Sequence, residues 1–266
     1  MRATHWLIAG MLGVVFGGCA SIQTSPTPEA RQALAPTGKL RVGIFVINPI
    51  HAIKDPASGE LKGPAVDLGK ELARRIGVPF EAVAYSSIAP LLAGAKSGEW
   101  DVATMGISAE REQLVDFTAP FMLVEFGYLV PGGSSISTSA NVDKPGVRIA
   151  VVEKGSPDAY LTRTLRQASL VRLPAAPDMI ESLRAGRVDA VYAIKAVVLA
   201  QSEKLPGSRV LEDKLGGEGT GIAIQKGRGL GAEYVRQFVE DAKSEGLVKA
   251  AIERAALRGV IVAPVR

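Results

Sequence analysis

The sequence predicts an α/β fold of two lobes, each a mostly parallel sheet flanked by helices, and three observations carry that prediction. Apolar, β-rich runs alternate with amphipathic helical stretches along most of the 266 residues, an order that sets parallel strands between helices and docks ligands at the carboxyl ends of strands. A pattern of helix end, glycine and strand-opening aspartate occurs twice, at Lys96-Ser-Gly-Glu-Trp-Asp-Val-Ala103 and Arg184-Ala-Gly-Arg-Val-Asp-Ala-Val191, the trace of two lobes with one plan. The glycine-rich run Gly216-Gly-Glu-Gly-Thr-Gly221 can absorb the backbone rotation of a hinge, although ordinary loop glycines would read the same way.

Taken in order, the chain opens with Arg2 and His5 ahead of an apolar stretch from Trp6 to Phe16 and then Gly17-Gly18-Cys19. Residues 1–18 read as a secretion signal. Small residues precede Cys19, the only cysteine, as in a bacterial lipoprotein cleavage box that would acylate its thiol, with Phe16 unusual there. A membrane anchor through that lipid is the expectation; a secreted, unanchored chain is the alternative. Residues 19–36, rich in Ser, Thr, Pro and Gln without apolar periodicity, read as a flexible tether. Lys39 to Phe45 starts the first lobe as a strand. Pro64 to Ile76 is a helix with Leu68, Leu72 and Ile76 on one stripe, stopped by Gly77. Phe80 to Tyr85 is a strand, Ser87 caps a helix that turns Leu91, Leu92 and Ala95 inward and ends at Gly98, and Trp100 to Met105 is the next strand.

The second lobe repeats this order. Val147 to Val152 is a strand, Ser156 caps a helix running through Gln167, and Leu170 to Leu173 is a strand. Asp178 and Glu181 have the spacing of a capping box ahead of Met179, Ile180 and Leu183, and Gly186 ends that helix before the strand Val188 to Ile194. Glu125 to Val130 and the glycine run make two crossings, and Tyr234, Phe238 and Leu247 belong to helices returning to the first lobe. The expected division is residues 37–127 for the first lobe, 128–219 for the second and 220–266 for the return.

Composition narrows the function. Apolar content of 47% is ample for buried cores, and one cysteine leaves no disulfide to staple them. No segment after the leader offers roughly 18 uninterrupted apolar residues, so the mature chain is expected to be soluble. A net charge of +4 without a basic run interleaved with aromatics argues against nucleic-acid binding. His51 is the only histidine past the leader; it reads as a loop residue, and neither a nucleophilic triad nor a His-based metal site has its parts. No metal or cofactor is expected. A monomer is.

The stretch from Gly63 to Val130, above all Trp100-Asp-Val-Ala-Thr-Met-Gly106 followed by Ser108-Ala-Glu-Arg111, resembles the extracytoplasmic solute-binding proteins of polar amino acid ABC transporters, bacterial solute-binding protein family 3. The resemblance continues through Val147-Arg-Ile-Ala-Val-Val-Glu-Lys-Gly-Ser156, Leu183-Arg-Ala-Gly-Arg-Val-Asp-Ala190 and Gly221-Ile-Ala-Ile-Gln-Lys-Gly227, and covers nearly everything after Thr37. It implies a type II periplasmic-binding-protein-like fold, a small-molecule carboxylate ligand and a transporter permease as partner. It also implies that Thr104 and Gly106 lie in the binding segment and that Arg111 takes the ligand's carboxylate. An arginine suits that task because its planar fork matches a carboxylate; the alternative is a surface pairing with Glu110 or Glu112. Ser108 is a helix cap or a contact. In Lys154-Gly-Ser-Pro-Asp158, Gly155 and Ser156 open a helix whose free N–H groups can make a second anion contact, or Ser156 is a structural cap, with Pro157 where the family has a hydroxyl.

The departures are as informative. The family holds the ligand's ammonium with an aspartate at the position of Ile194, and has acidic or aromatic groups where this chain offers Phe45, Asn48 and Ile88. With no counter-charge in view, an ordinary α-amino acid is disfavoured, and the expected solute is a carboxylate without a free α-ammonium. Glu153 or Asp158 could supply the missing charge instead. Lys195 either adds positive charge to the cleft or is a solvated lysine at a helix start. Two other classes stay open: a secreted enzyme related to cyclohexadienyl dehydratase, whose proton-donating glutamic acid would fall where Ala196, Val197 and Val198 stand, and a ligand-sensing envelope lipoprotein.

Overall fold

A computed structural model describes residues 25–212 and 216–266; the expectations for the signal segment and Cys19 fall outside the described residues. The tether expectation needs correcting within them. Pro28–Leu34 forms helix α1, with Pro28 in its first turn and the Thr27 hydroxyl accepting from Ala30 N at 3.2 Å. Ala30 and Leu34, four residues apart, are buried, and Gly231 is where α1 settles closely on a later helix. A short apolar stripe inside a polar stretch was enough to dock it.

The first lobe starts with β1 (Leu40–Phe45), followed by a small separate sheet of β2 (Ile47–Asn48), β3 (Ala52–Lys54) and β4 (Leu61–Lys62). Helix α2 (Pro64–Ile76) buries Leu68, Leu72 and Ile76 and is closed by Gly77, left-handed at φ 68°. Then come β5 (Phe80–Tyr85), α3 (Ile88–Ser97), β6 (Val102–Gly106), α4 (Ala109–Glu112) and β7 (Val115–Phe117). The strand expected from Trp100 begins two residues later. The Trp100 indole N–H is committed to Leu91 O at 2.8 Å and Asp101 to Arg41, so the ladder with β1 is entered only at Val102.

The long strand β8 (Met122–Val130) leads into the second lobe: β9 (Arg148–Val152), α5 (Ser156–Thr164), β10 (Ser169–Leu173), α6 (Ala176–Arg184), β11 (Ala190–Ile194), α7 (Lys195–Ser202) and β12 (Arg209–Val210). β13 (Gly217–Gln225) crosses back to α8 (Leu230–Ser244), α9 (Leu247–Arg254) and β14 (Val260–Val262). Three capping expectations do not hold as stated: Ser87 stands at the N-cap of α3 but its side chain makes no capping hydrogen bond. Gly155, not Ser156, is the N-cap of α5, and that helix stops at Thr164 because Asp143 accepts the next free amides, Arg166 N, Gln167 N and Ala168 N, at 2.7–2.9 Å. Helix α6 begins ahead of Asp178, with Pro177 in its first turn and no side-chain cap at Ala175.

One sheet runs β10-β9-β11-β8-β13-β6-β1-β5. Its two ends are parallel triplets, β5-β1-β6 and β10-β9-β11, each closed by an antiparallel crossing strand. The crossings β8 and β13 pair with each other from Gly217 opposite Glu125 to Thr220 opposite Met122. A Cβ at Gly217 would lie 2.3 Å from Val124 O, so glycine is what lets these strands approach. The two lobes repeat one device. Asp101 accepts from Arg41 N, Nε and Nη2 at 3.0, 3.0 and 2.8 Å while Arg41 Nη1 reaches Gly98 O; Asp189 does the same for Arg148 at 2.8, 3.1 and 3.0 Å, with Arg148 Nη2 on Gly186 O. The repeated glycine and aspartate in the sequence thus clamp the start of one strand to the start of its neighbour. Helix α8 returns to the first lobe, burying Phe238 with the Arg75 guanidinium 5.2 Å from its ring. Among the described residues no helix is long and apolar enough to cross a membrane.

Candidate functional site

The carboxyl end of β6 delivers the chain into a four-residue helix, α4, whose N-cap Ser108 accepts from Arg111 N at 3.3 Å. That turn folds the Arg111 side chain back against the strand end, where it is 7% exposed and donates from Nη1 to Gly106 O at 2.8 Å. The same guanidinium reaches the opposite lobe, Nη1 lying 3.5 Å from Ser156 Oγ and Nη2 3.4 Å from Lys154 O. Burial lowers the Arg111 pKa from its ordinary value, opposed by Glu218 and Glu110; an arginine stays charged under such pressure. A permanent cation therefore spans two closing walls, with cross-cleft hydrogen bonds that are long.

Around it lies a cavity of about 240 Å³. Asn48, Gly106, Arg111, Gly155, Ser156 and Ile194 line it, as do the apolar side chains of Phe45, Ile88 and Met105 from one lobe and Met179 and Val197 from the other. Three residues expected at the site do not line it. Thr104 is buried behind the wall and bonds His51 Nδ1 at 2.9 Å. Ser108 serves as the cap of α4. Lys195 turns to Glu125, Nζ to Oε2 at 3.1 Å, with its stem beside Gly259, so it brings no charge to the cleft. The other candidate acids divide: Asp158 accepts from Lys154 N, Thr162 Oγ1 and Arg172 Nε, while Glu153 lines the cavity from an exposed position.

The residue that sequence reasoning missed is Glu218. It stands on crossing strand β13 between two glycines, lines the cavity, accepts from the Ser156 hydroxyl and feels the Arg111 charge. Burial pushes its carboxyl above the usual range, and the Ser156 bond and Arg111 pull it part of the way back. A Cβ at Gly106 would fall inside the Glu218 carboxyl, so the small residue there makes room for it. The expectation that nothing acidic faces Arg111 is thereby corrected: a carboxyl reaches the cavity from β13 rather than from the end of β11, where Ile194 stands. The signal was in the sequence, since Gly216-Gly-Glu-Gly219 contains a single side chain able to project from a crossing.

His51 was also underread. It sits in a turn but is buried in the cavity wall, bonded to Thr104. Burial, and then the nearby Arg111 charge, pull its pKa down to about 3, so the ring is neutral. A histidine whose folded pKa is depressed leaves the unfolded state binding the extra proton, so stability falls as pH drops below about 6.5 and goes on falling until about 3. His51→Asn, which keeps a partner for Thr104, should flatten urea-unfolding stability between pH 6.5 and 4 by up to roughly 1.4 kcal/mol per pH unit relative to the parent. Parallel pH profiles for the two proteins would refute this. Among the described residues no group of three or more His, Cys, Asp or Glu side chains is placed to hold a metal ion.

Two α/β lobes joined by a pair of crossing strands, with a cavity between them lined by charged, polar and apolar side chains, define a hinge-type solute-binding protein. The model of the bacterial extracellular solute-binding proteins, family 3, matches residues 40–254, and the chain belongs to that family. It is similar to the ABC transporter glutamine-binding protein of Bacillus subtilis, 25% identical over 80% of each chain. Among solved structures it resembles a binding component of an ABC transporter from Wolinella succinogenes complexed with lysine, 25% identical with a TM-score of 0.73 over 82% of this chain and 95% of that one. It also resembles an ancestral amino acid-binding protein described as a precursor of cyclohexadienyl dehydratase, 26% identical with a TM-score of 0.73 over 84% and 98%.

Proposed function

We propose that this protein is the binding component of an ABC transporter and that it carries a small carboxylate-bearing solute clasped between residues 37–127 with 220–266 on one side and 128–219 on the other. The observation that carries this reading is Arg111. Its guanidinium is buried at the lobe boundary, and two of its three hydrogen bonds, to Ser156 Oγ and Lys154 O, are at 3.5 and 3.4 Å, so a carboxylate entering the cleft offers it better acceptors. Gly106, Gly155 and Ser156 supply the adjoining contacts, and Asn48 and Ile194 shape the walls. Delivery to a membrane permease fits a signal over residues 1–18 and a lipid on Cys19, which intact-mass measurement of the membrane fraction would read directly. Thermal-shift titration of the mature protein with small carboxylic acids, amino acids among them, and with their primary amides tests the site: acids should raise the melting temperature and the amides should not. Equal shifts from acids and amides would count against Arg111 as an anion clamp.

A second reading, a secreted dehydratase, draws on Glu218, because a carboxyl held above its usual pKa in an apolar cleft is the state a proton donor needs. Incubation with prephenate or arogenate under absorbance detection separates the two: turnover removes the binding-only assignment, and its absence removes the dehydratase.

A further inference from the structure

We propose that the turn over residues 255–259 is a latch between the lobes, in which Arg258 catches Glu203 of the second lobe and favours the closed arrangement from outside the solute cavity. The latch needs only that the lobes close on one another, whatever solute they hold.

The turn belongs to the first lobe at both ends and meets the second in between. It follows α9, which packs on α2, and leads into β14, which pairs with residues 122–124 of β8. Arg258 Nη2 lies 2.6 Å from Oε1 of Glu203, the C-cap of α7. Gly259 O accepts from Glu125 N at 3.2 Å, and a Cβ at Gly259 would lie 3.1 Å from Cβ of Lys195, the first residue of α7. Lys195 is itself bonded to Glu125. The turn therefore touches α7 at each end.

Its backbone is built stiff. Ala256 N donates to Glu253 O and Leu257 N to Ile252 O, the pattern that Gly77 N to Arg74 O and Val78 N to Ala73 O make at the end of α2. That motif puts one residue in the left-handed region, where α2 has glycine and this turn has Ala256 at φ 49°. An alanine held there carries strain that glycine would not, while Leu257 packs against the core. On α7, Ala196 and Ala200 share with Ala255 and Ala256 the lining of a groove of about 600 Å³, so the two surfaces meet through small side chains without interdigitating. The groove adjoins the solute cavity: Pro49 lines the groove and its neighbour Asn48 the cavity, Ala196 the groove and its neighbour Val197 the cavity. A separation of the lobes that widens one widens the other and draws Glu203 from Arg258. The further acid on the groove, Glu253, lies 3.8 Å from Lys249, which leaves Arg258 to Glu203. Both members of the catch are more than half exposed, so it shifts the ratio of closed to open forms by roughly two- to fivefold.

The test is small-angle X-ray scattering of the mature protein, stripped of copurified solute, as the parent, Arg258→Glu, Glu203→Arg and the double swap, with far-UV circular dichroism confirming the fold of each. Either single reversal sets like charges against each other and should enlarge the radius of gyration. The double swap restores the pair with its signs exchanged and should bring the radius back toward the parent. A radius unchanged by either reversal, or one that the double swap fails to restore, would overturn the latch. Neither outcome bears on Arg111, which the comparison of acids with amides tests separately.

Discussion

Arg111→Met is expected to remove roughly 2–5 kcal/mol of solute binding, the range for truncating one partner of a buried, hydrogen-bonded charge pair. Methionine fills much of the space of the arginine stem, so the packing of α4 on the end of β6 is retained while the fork is lost. What disappears is the bond to Gly106 O and the two contacts that reach across to Ser156 and Lys154. Lysine would not rescue it, because a point charge cannot offer two parallel donors to one carboxylate. The substitution also leaves Glu218 without the cation that pulls its pKa down, so that carboxyl should titrate higher still in the variant. Calorimetric titration with whichever solute stabilises the parent reads the effect, and an affinity within error of the parent would remove Arg111 from the site.

Asp101→Ala should be the costliest of the single changes considered for folding, about 3–5 kcal/mol, since removing one partner of a buried ion pair strands the others. The Asp101 side chain is 0% exposed and holds Arg41 through three bonds and Arg228 through a fourth at 3.3 Å. Arg228 in turn donates to Ala33 O, which ties α1 to the lobe. The equivalent change in the other lobe, Asp189→Ala, should cost on the order of 1 kcal/mol, because Asp189 holds Arg148 alone and its side chain is 37% exposed, where water screens and replaces the lost partner. Urea unfolding of the two variants compares them directly. Equal losses would show that burial does not set the worth of this repeated clamp.

Much of the architecture was legible because it is written in short-range spacing. The stripe Leu68, Leu72, Ile76 and the stop at Gly77 return as α2 with the expected bounds, and Phe80 to Tyr85 returns as β5. The repeated glycine and aspartate motif returns as a pair of clamps with matching hydrogen bonds. The failures share a cause as well. Strand bounds shifted where Trp100 was taken up by Leu91 O, and α5 ended early because Asp143, more than twenty residues away in sequence, captured the amides that would have continued it. Residues 28–34 looked like tether because seven residues give too little periodicity to stand out, and their stability as a helix comes from the surface they dock on.

For the site, the chain by itself determined the alternation of strands and helices, the two-lobed plan and the corner that carries Arg111, since each depends on neighbours within a turn or a strand. The tertiary structure alone decided which charges meet. Glu218 comes to Arg111 across more than a hundred residues, Lys195 is drawn off to Glu125 across seventy, and His51, bonded to Thr104, is held neutral by its burial and by Arg111. Local periodicity says which face of a strand a side chain takes. The register of two crossing strands and the closing of one lobe on the other say what that face looks at, and those are set by packing over the whole molecule.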